Sequence, residues 1–354
     1  MQSYTRGIGF AAAMVAAAAL GAPASAQQLE KEVVYATTGG LMEQSLTKHF
    51  YDPFLKQTGT EVVPVAIEVP DQWARVEAMS RSGAMEFDIV TATPPDLITH
   101  ADKLLTLDCK GAMKAVVDNG VPGACTDKGV IRTVGGMLIA YNAEKFPKAP
   151  DGWDDFWNVK DFPGPRGLPD TGDRDWWVPL VALLADGVAA DKLFPMDLDR
   201  AYKKLDQIKP HVAVWWKSGN QLQQIMRTNE VVMTMAYSGR GVAVRDEGFP
   251  WKMSWPQAIK DTGMMAITKG APHPNAAVAF INFYYADPKN HPDFIRTVKY
   301  GTGSATAADL MTPAEREGIA TSKENYADLV VADFAWIGAN RDALRKRWVE
   351  WLTK

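Results

Sequence analysis

The sequence predicts an α/β fold, and three observations lead to it. Short runs rich in Val, Ile and aromatic residues alternate along the chain with runs whose apolar residues recur at helical spacing. The connections between these runs are short, which is typical of a parallel sheet covered by helices. The chain has 354 residues, more than the roughly 250–300 at which a single hydrophobic core stops growing, so we expect two domains.

The first 26 residues have the pattern of a secretory signal peptide. Arg6 is the only charged side chain before an apolar run at 8–20, and Ala24-Ser25-Ala26 supplies the small residues of a cleavage site. A membrane anchor is the alternative, but the run is shorter than the roughly 20 residues that span a bilayer. We therefore predict cleavage after Ala26 and a mature protein in the periplasm.

The first half of the mature chain predicts a β-α-β-α-β unit. Its strands are short apolar runs bounded by turn residues, and its helices carry apolar residues on one face. In chain order the predicted elements are a strand at 32–36, a helix at 41–58, a strand at 62–69, a helix at 73–79, and strands at 87–90 and 137–141.

The second half changes character before the alternation resumes. Residues 150–176 are rich in Pro, Gly, Asp and Trp, which predicts turns and one short helix. After them we expect helices at 177–187, 198–208, 221–229 and 274–285, strands at 231–236 and 264–268, and a last helix containing Leu344, Trp348 and Trp351.

The chain has two cysteines, Cys109 and Cys125. In an oxidising compartment such a pair is expected to form a disulfide, and two buried thiols are the alternative. Closing a loop of about 15 residues stabilises a fold by roughly 3 kcal/mol in the chain-entropy model.

The charge and the motifs exclude several classes of function. A net charge of −4 gives no basic surface for nucleic acid. The five histidines are scattered, and no H-E-x-x-H pair places two zinc ligands on one helix face. Residues 301–305 lack the final glycine of a nucleophile elbow. The acidic pair Asp173 and Asp175 is more typical of a loop cap than of acid–base chemistry. We therefore expect no catalytic residue, no metal and no cofactor.

The 12 tryptophans are the strongest chemical signal. Two adjacent pairs, Trp176-Trp177 and Trp215-Trp216, each place at least one ring away from a single core face. Aromatic rings attract ammonium groups by about 0.5–2 kcal/mol per contact. Some of these rings are therefore expected to line a ligand site, although most tryptophans belong in cores.

Several segments together resemble bacterial extracellular solute-binding proteins of ABC importers, in particular the spermidine/putrescine-binding group. Each segment is weak by itself, but their order and spacing cover nearly all of the mature chain. The segments are Phe54–Val62 (FLKQTGTEV), Phe87–Val90 (FDIV), Trp153–Trp157 (WDDFW) with Phe162–Leu168 (FPGPRGL), Trp216–Leu222 (WKSGNQL) and Lys269–Phe283, which begins KGAP.

The resemblance implies a type II periplasmic binding protein fold, with two lobes and two crossing strands as a hinge near 135–140 and 263–267. The first lobe would comprise 27–136 plus 264–305, and the second 137–263 plus 306–354 with its closing helices. Such a protein, expected to be a monomer, captures a small amine-containing molecule by cleft closure. It then delivers this ligand to an ABC permease in the inner membrane.

The resemblance also implies a set of ligand-binding residues. Asp173 is a further candidate from the loop before the helix at 177. The other positions matched to the family's cleft are Thr38, Gly39, Thr93, Trp177, Trp216, Ser218, Tyr237, Ser238, Arg240 and Tyr300.

At one of these positions the side chain has the opposite charge to the one that the resemblance implies. Arg240 falls where polyamine binders often keep an aspartate that holds an ammonium group. An unpaired guanidinium repels a polyamine, whereas it binds a carboxylate or phosphonate bidentately. We therefore predict an amine with an anionic end, such as a γ-amino acid, an opine or an aminophosphonate.

Three alternatives stay open. Arg240 could form a salt bridge with Asp246 or Glu247; Asp170, Asp173 or Asp175 would then supply an ammonium contact, and a polyamine would fit. A ferric-ion binder of the same fold would need Tyr284 and Tyr285 in the cleft, although packing is the expected role for this pair. A periplasmic enzyme would need a nucleophile and a base, which no spacing indicates.

Overall fold

A computed structural model describes residues 29–172 and 176–354. The predicted signal peptide and Asp173 lie outside these residues. The described residues form nine strands: β1 (Glu32–Thr37), β2 (Glu61–Ala66), β3 (Ile89–Ala92), β4 (Val130–Asn142), β5 (Arg166–Pro169), β6 (Val212–Trp216), β7 (Met233–Tyr237), β8 (Trp251–Ile267) and β9 (Gly301–Thr302).

The α-helices lie between and after these strands along the chain. They are α1 (Gly40–Leu46), α2 (Asp52–Thr58), α3 (Val69–Ser82), α4 (Pro94–Thr99), α5 (Lys114–Asn119), α6 (Trp153–Trp157), α7 (Trp177–Ala185), α8 (Leu198–Ile208), α9 (Gly219–Arg227), α10 (Ser238–Asp246), α11 (Pro274–Ala286), α12 (His291–Val298), α13 (Pro313–Arg316), α14 (Lys323–Tyr326), α15 (Phe334–Ala339) and α16 (Arg341–Leu352). A π-helical turn at Thr47–Tyr51 joins α1 to α2.

Two long strands connect the two halves of the molecule. The sheet order is β2-β1-β3-β8-β4-β7-β5-β6, and β9 pairs with β4. Met264 to Ile267 of β8 pair with β3 in the first half, and Met137 to Tyr141 of β4 pair with β7 in the second. Between these ends, β4 and β8 run antiparallel to each other from one half into the other. The α/β prediction is confirmed.

Each half has its own hydrophobic core. One cluster includes Phe50, Val90 and Phe280, and the other includes Trp153, Leu205 and Trp348. The division predicted from the sequence assigned 306–354 to the second lobe. Ala307, Ala308, Met311, Ile319, Ala320 and Leu329 instead pack in the first core, and the second core resumes at Val330. The chain therefore covers the first lobe again before it returns to the second.

The sequence did not predict β5, β6, β9 or the first parts of β4 and β8 as strands. Only 264–268 of β8 was predicted, yet β8 begins at Trp251 and includes Pro256, Lys260 and Asp261. This segment spans the region between the lobes, where side chains are only partly covered. β5 has just four residues and includes Arg166, so the Pro- and Gly-rich segment around it gave no strand signal.

A disulfide joins Cys109 to Cys125, whose Cα atoms are 5.9 Å apart. The bond closes a loop in the first lobe and so restricts the unfolded chain. Among the helices at 29–172 and 176–354, none combines the length and the apolar composition that a bilayer crossing needs.

Removal of this disulfide should lower stability without changing the fold. For Cys109→Ser/Cys125→Ser we expect a loss of about 2–4 kcal/mol, because the unfolded chain gains conformational freedom. Urea denaturation of the variant and of the wild type, each with and without reductant, measures it. Reductant should shift only the wild type; equal wild-type midpoints with and without reductant would contradict the expectation.

Candidate ligand-binding cleft

The strand directions place the carboxyl ends of both sets of parallel strands at the same gap. In the first lobe β1, β2 and β3 run in the direction of β4, which leads toward the second lobe. In the second lobe β5, β6 and β7 run opposite to β4 and therefore toward the first lobe. Ligands of open α/β sheets bind at the carboxyl ends of strands. The gap between the lobes is therefore the candidate cleft.

The first lobe contributes two loops to this edge. Thr38 is exposed after β1, and Gly39 has a φ of 69°, a left-handed conformation that favours glycine. Thr93 follows β3 at the start of α4 and is partly exposed. Its backbone N–H and its hydroxyl both donate to Asp96, at 2.8 and 2.7 Å, which fixes the loop.

The second lobe contributes the starts of two helices. Ser218 follows β6 and caps α9 by accepting from the backbone N–H of Gln221 at 3.2 Å. Ser238 follows β7 and is buried, and its hydroxyl accepts from the backbone N–H of Gly136 at 3.0 Å. Ser238 thus ties α10 to the crossing strand β4.

Three of the predicted aromatic residues form one cluster. The ring of Tyr237 lies 5.6 Å from the rings of both Trp177 and Trp216. Tyr237 is partly exposed, whereas Trp177 and Trp216 are almost fully buried. The Trp216 indole N–H donates to the carbonyl of Met235 at 3.1 Å. Tyr237 is therefore the accessible residue of this cluster, and the two buried tryptophans pack against it.

Arg240 is exposed in the first turn of α10 and lies against the start of α9. Its Nη1 donates to Gln223 at 3.1 Å and to Asn220 at 3.5 Å. A Cβ added to Gly219 would lie 2.9 Å from the Arg240 Nε, so the guanidinium covers the first turn of that helix. The N-terminus of a helix carries a partial positive charge. Two positive groups therefore meet at this point of the second lobe.

The two acidic residues that could have neutralised Arg240 are engaged elsewhere. Asp246 pairs with Lys299 at 2.6 Å and with Arg245 at 2.8 Å. Glu247 pairs with Arg227 at 2.6 Å. Within 29–172 and 176–354, no carboxylate forms an ion pair with Arg240. The salt-bridge alternative for Arg240 is thus not what the structure shows.

The remaining candidates occupy different surroundings. Asp170 accepts from the Trp348 indole at 2.9 Å and lies 3.6 Å from Lys217, so its carboxylate is already bound. Tyr284 and Tyr285 are fully buried. Their hydroxyls donate to the carbonyls of Arg132 and Ile131 in the first core. The exposure that a ferric site needs is absent from this pair.

Tyr300 lies where the lobes touch beside the crossing strands. A Cβ added to Gly135 would be 2.9 Å from the Tyr300 ring, and one added to Gly239 would be 2.6 Å from it. Gly239 belongs to the second lobe and Tyr300 to the first. Gly135 and Gly239 therefore permit a close approach of Tyr300, which a side chain at either position would prevent.

Sequence reasoning did not find Phe334 or Arg132. Phe334 contacts Trp176, with ring centroids 6.0 Å apart, and lines a cavity of about 370 Å³ beside the crossing strands. Residues of both lobes line this cavity, so its volume must change when the lobes move. Arg132 is the one charged residue of β4, and a charge within such an apolar strand was a signal that could have been read.

The family follows from comparison with known proteins. The model of the family described as bacterial extracellular solute-binding protein matches residues 49–325. This chain therefore belongs to that family, and it is the substrate-binding component of an ABC transporter, not an enzyme.

Two curated relatives match different lengths of this chain. The γ-aminobutyric acid-binding protein of Pseudomonas aeruginosa is 32% identical over 338 residues, which are 94% of each chain. The spermidine/putrescine-binding periplasmic protein of Escherichia coli is 27% identical over 197 residues, 55% of this chain and 53% of that protein. The solute-binding family is confirmed, whereas the polyamine subgroup is represented only by distant relatives.

Solved structures agree with the two-lobed fold. The periplasmic binding protein AttC of Agrobacterium tumefaciens, in an open unliganded conformation, has a TM-score of 0.81 and 31% identity over 91% of this chain and all of that one. A structure described as the Atu4243-GABA receptor has a TM-score of 0.77 and 27% identity over 90% and 97%. The predicted periplasmic binding protein fold is confirmed.

The contact of Gly239 with the first lobe can be tested with a methyl group. Gly239→Ala would place a Cβ 2.9 Å from the carbonyl oxygen of Lys299 as well as against Tyr300. We expect a loss of about 1–3 kcal/mol from this overpacking, measured by thermal unfolding. Gly338→Ala is the matched control, because nothing lies within 4 Å of its Cβ. A melting temperature of Gly239→Ala no lower than that of the wild type would show that the lobes do not touch here.

Proposed function

We propose that this protein captures a zwitterionic ω-amino acid of the γ-aminobutyrate type and delivers it to its ABC permease. The protein would act as a monomer in the periplasm, after cleavage of its signal peptide behind Ala26. The observation that carries the choice of ligand is the guanidinium of Arg240 at the cleft edge, with which no carboxylate at 29–172 or 176–354 forms an ion pair.

The charge at Arg240 supports a carboxylate as one end of the ligand. The guanidinium and the start of α9 add two positive contributions, and no described carboxylate offsets them. A ligand carboxylate would accept charge-assisted hydrogen bonds there, each about twice as strong as a neutral one. It would also face the amides of the first turn of α9, which favour an anion.

The aromatic cluster supports an ammonium group at the other end. Tyr237 is the last residue of β7 and Arg240 lies three residues further on, so both emerge at the same edge of the sheet. A ligand with a short aliphatic chain would place its ammonium at the partly exposed Tyr237. Attraction between an ammonium and an aromatic face adds about 0.5–2 kcal/mol. Asp173, four residues before the first residue of α7 in the sequence, is the proposed carboxylate partner for the ammonium.

The same features argue against a polyamine. Spermidine and putrescine are positively charged at both ends. One ammonium group would lie beside the Arg240 guanidinium and would be repelled by it. The curated relative that covers nearly the whole chain is a γ-aminobutyric acid-binding protein, whereas the polyamine-binding relatives match about half of it. Both facts support the zwitterion.

Capture would proceed by closure of the lobes on the ligand. Thr38, Gly39 and Thr93 lie on the first edge, and Ser218, Tyr237 and Arg240 lie on the second. A ligand that touches both edges binds the closed state better than the open one, so it shifts the population toward closure. The permease would then receive ligand from the closed form.

Calorimetry with paired variants tests the assignment of Arg240. Wild type should bind γ-aminobutyrate and show no heat with putrescine or spermidine. Arg240→Gln should weaken γ-aminobutyrate binding about 10- to 100-fold, because a hydrogen bond to a charged group contributes roughly 1.5–3 kcal/mol. Arg227→Gln, which removes an equal charge that already pairs with Glu247, should leave the affinity unchanged.

Two results would contradict the proposal. Spermidine binding by the wild type without a response to γ-aminobutyrate would return the ligand to the polyamines. Equal affinities of wild type and Arg240→Gln for γ-aminobutyrate would place its carboxylate elsewhere in the cleft.

A further inference from the structure

A second arginine lies inside the first lobe, and no acidic residue in the described part of the chain pairs with it. Arg132 is on β4 and is only 5% exposed. Its side chain crosses β8 at Gly263, where an added Cβ would be 3.5 Å from Nη2. It continues to β3 and β1, where Nη1 donates to the Thr91 hydroxyl at 3.2 Å and to the Tyr35 hydroxyl at 3.1 Å. The guanidinium therefore lies across three strands.

The polar groups around Arg132 include more donors than acceptors. Its Nε is buried, and no described residue accepts a hydrogen bond from it. The Tyr51 hydroxyl is also buried and has no hydrogen-bond partner among the residues that the structure describes. The Tyr51 ring lies 6.2 Å from the ring of Tyr35, whose hydroxyl accepts from Arg132. The nearby Glu43 carboxylate is hydrogen-bonded by the Thr37 hydroxyl and forms no ion pair with Arg132.

The guanidinium keeps its charge in this setting. Burial opposes the charged form, but the hydroxyls of Tyr35, Tyr51 and Tyr284 raise the pKa of Arg132 above its ordinary value. A buried charge without a counter-charge destabilises a fold. A buried donor that stays unsatisfied adds a further cost, because it loses its hydrogen bond to water.

Arg166 shows how the same chain buries an arginine that needs no anion. It is fully buried in the second lobe, and its donors are taken by three backbone carbonyls. Nε donates to Phe156 at 3.0 Å, Nη1 donates to Gly164 at 2.8 Å, and Nη2 donates to Phe162. Burial lowers the pKa of Arg166 to about 10. Arg132 has no such set of carbonyls around its guanidinium.

We propose that Arg132, with Tyr35, Tyr51 and Thr91, forms a binding site for a small monovalent anion such as chloride inside the first lobe. One anion would accept from the Arg132 Nε and the Tyr51 hydroxyl, for which the described residues offer no acceptor, and would neutralise the guanidinium. A water molecule could accept the same hydrogen bonds but would leave the charge uncompensated. The almost complete burial of Arg132, Tyr35 and Tyr51 excludes an ion the size of the transported ligand. The site is thus separate from the cleft.

The dependence of stability on chloride tests this site. At constant ionic strength, replacing sodium gluconate by sodium chloride should raise the melting temperature of the wild type by about 2–4 °C, and the rise should saturate. Arg132→Met should lose this dependence. Arg166→Met removes the buried arginine that carbonyls already satisfy, so it should keep the full dependence. Equal melting temperatures of the wild type in the two salts would overturn the proposal.

Anomalous diffraction provides a test that does not depend on a variant folding. Crystals of the wild type grown in sodium bromide should show an anomalous peak within hydrogen-bonding distance of the Arg132 Nε. Electron density for a water molecule there, or an empty position without anomalous signal, would contradict the assignment. A peak found only at exposed lysines would contradict it as well.

Discussion

The pairing of β4 with β8 is the interaction on which the rest of the structure depends. These two strands are the ones that continue from one core into the other, and their antiparallel ladder holds the lobes at a fixed distance. Because β1 to β3 run along β4 and β5 to β7 run against it, the ladder also decides which strand ends meet at the cleft. Closure can then occur by bending of these two strands and of the chain at 329–330, where it returns to the second lobe, with both cores unchanged.

Much of the fold was readable from the sequence because each lobe repeats a simple pattern. The helix predicted at 198–208 has the same bounds as α8, and the strands at 32–36 and 231–236 lie within two residues of β1 and β7. The strand β8 was predicted only at its buried end, because its middle lies between the lobes and keeps polar residues such as Lys260 and Asp261. The assignment of 307–329 to the first core depends on a return of the chain that no local pattern encodes.

The sequence predicted a cleft with aromatic and charged residues, and it could not show which of these residues are buried. The change of sign at Arg240 pointed to an anionic ligand end, and the structure supports that argument by placing Asp246 and Glu247 in other ion pairs. Burial is a tertiary property, so the sequence could not tell that Trp216 supports the aromatic cluster while Tyr237 presents it. Nor could it show that Arg132 crosses the sheet above Gly263, since that contact joins residues 131 positions apart.

A crystal structure of the wild type grown with γ-aminobutyrate tests the central claim most directly. The account predicts closed lobes around one ligand, with its carboxylate about 3 Å from the Arg240 guanidinium and its ammonium beside Tyr237. A ligand bound with its ammonium toward Arg240, or bound outside the gap between the two lobes, would contradict it.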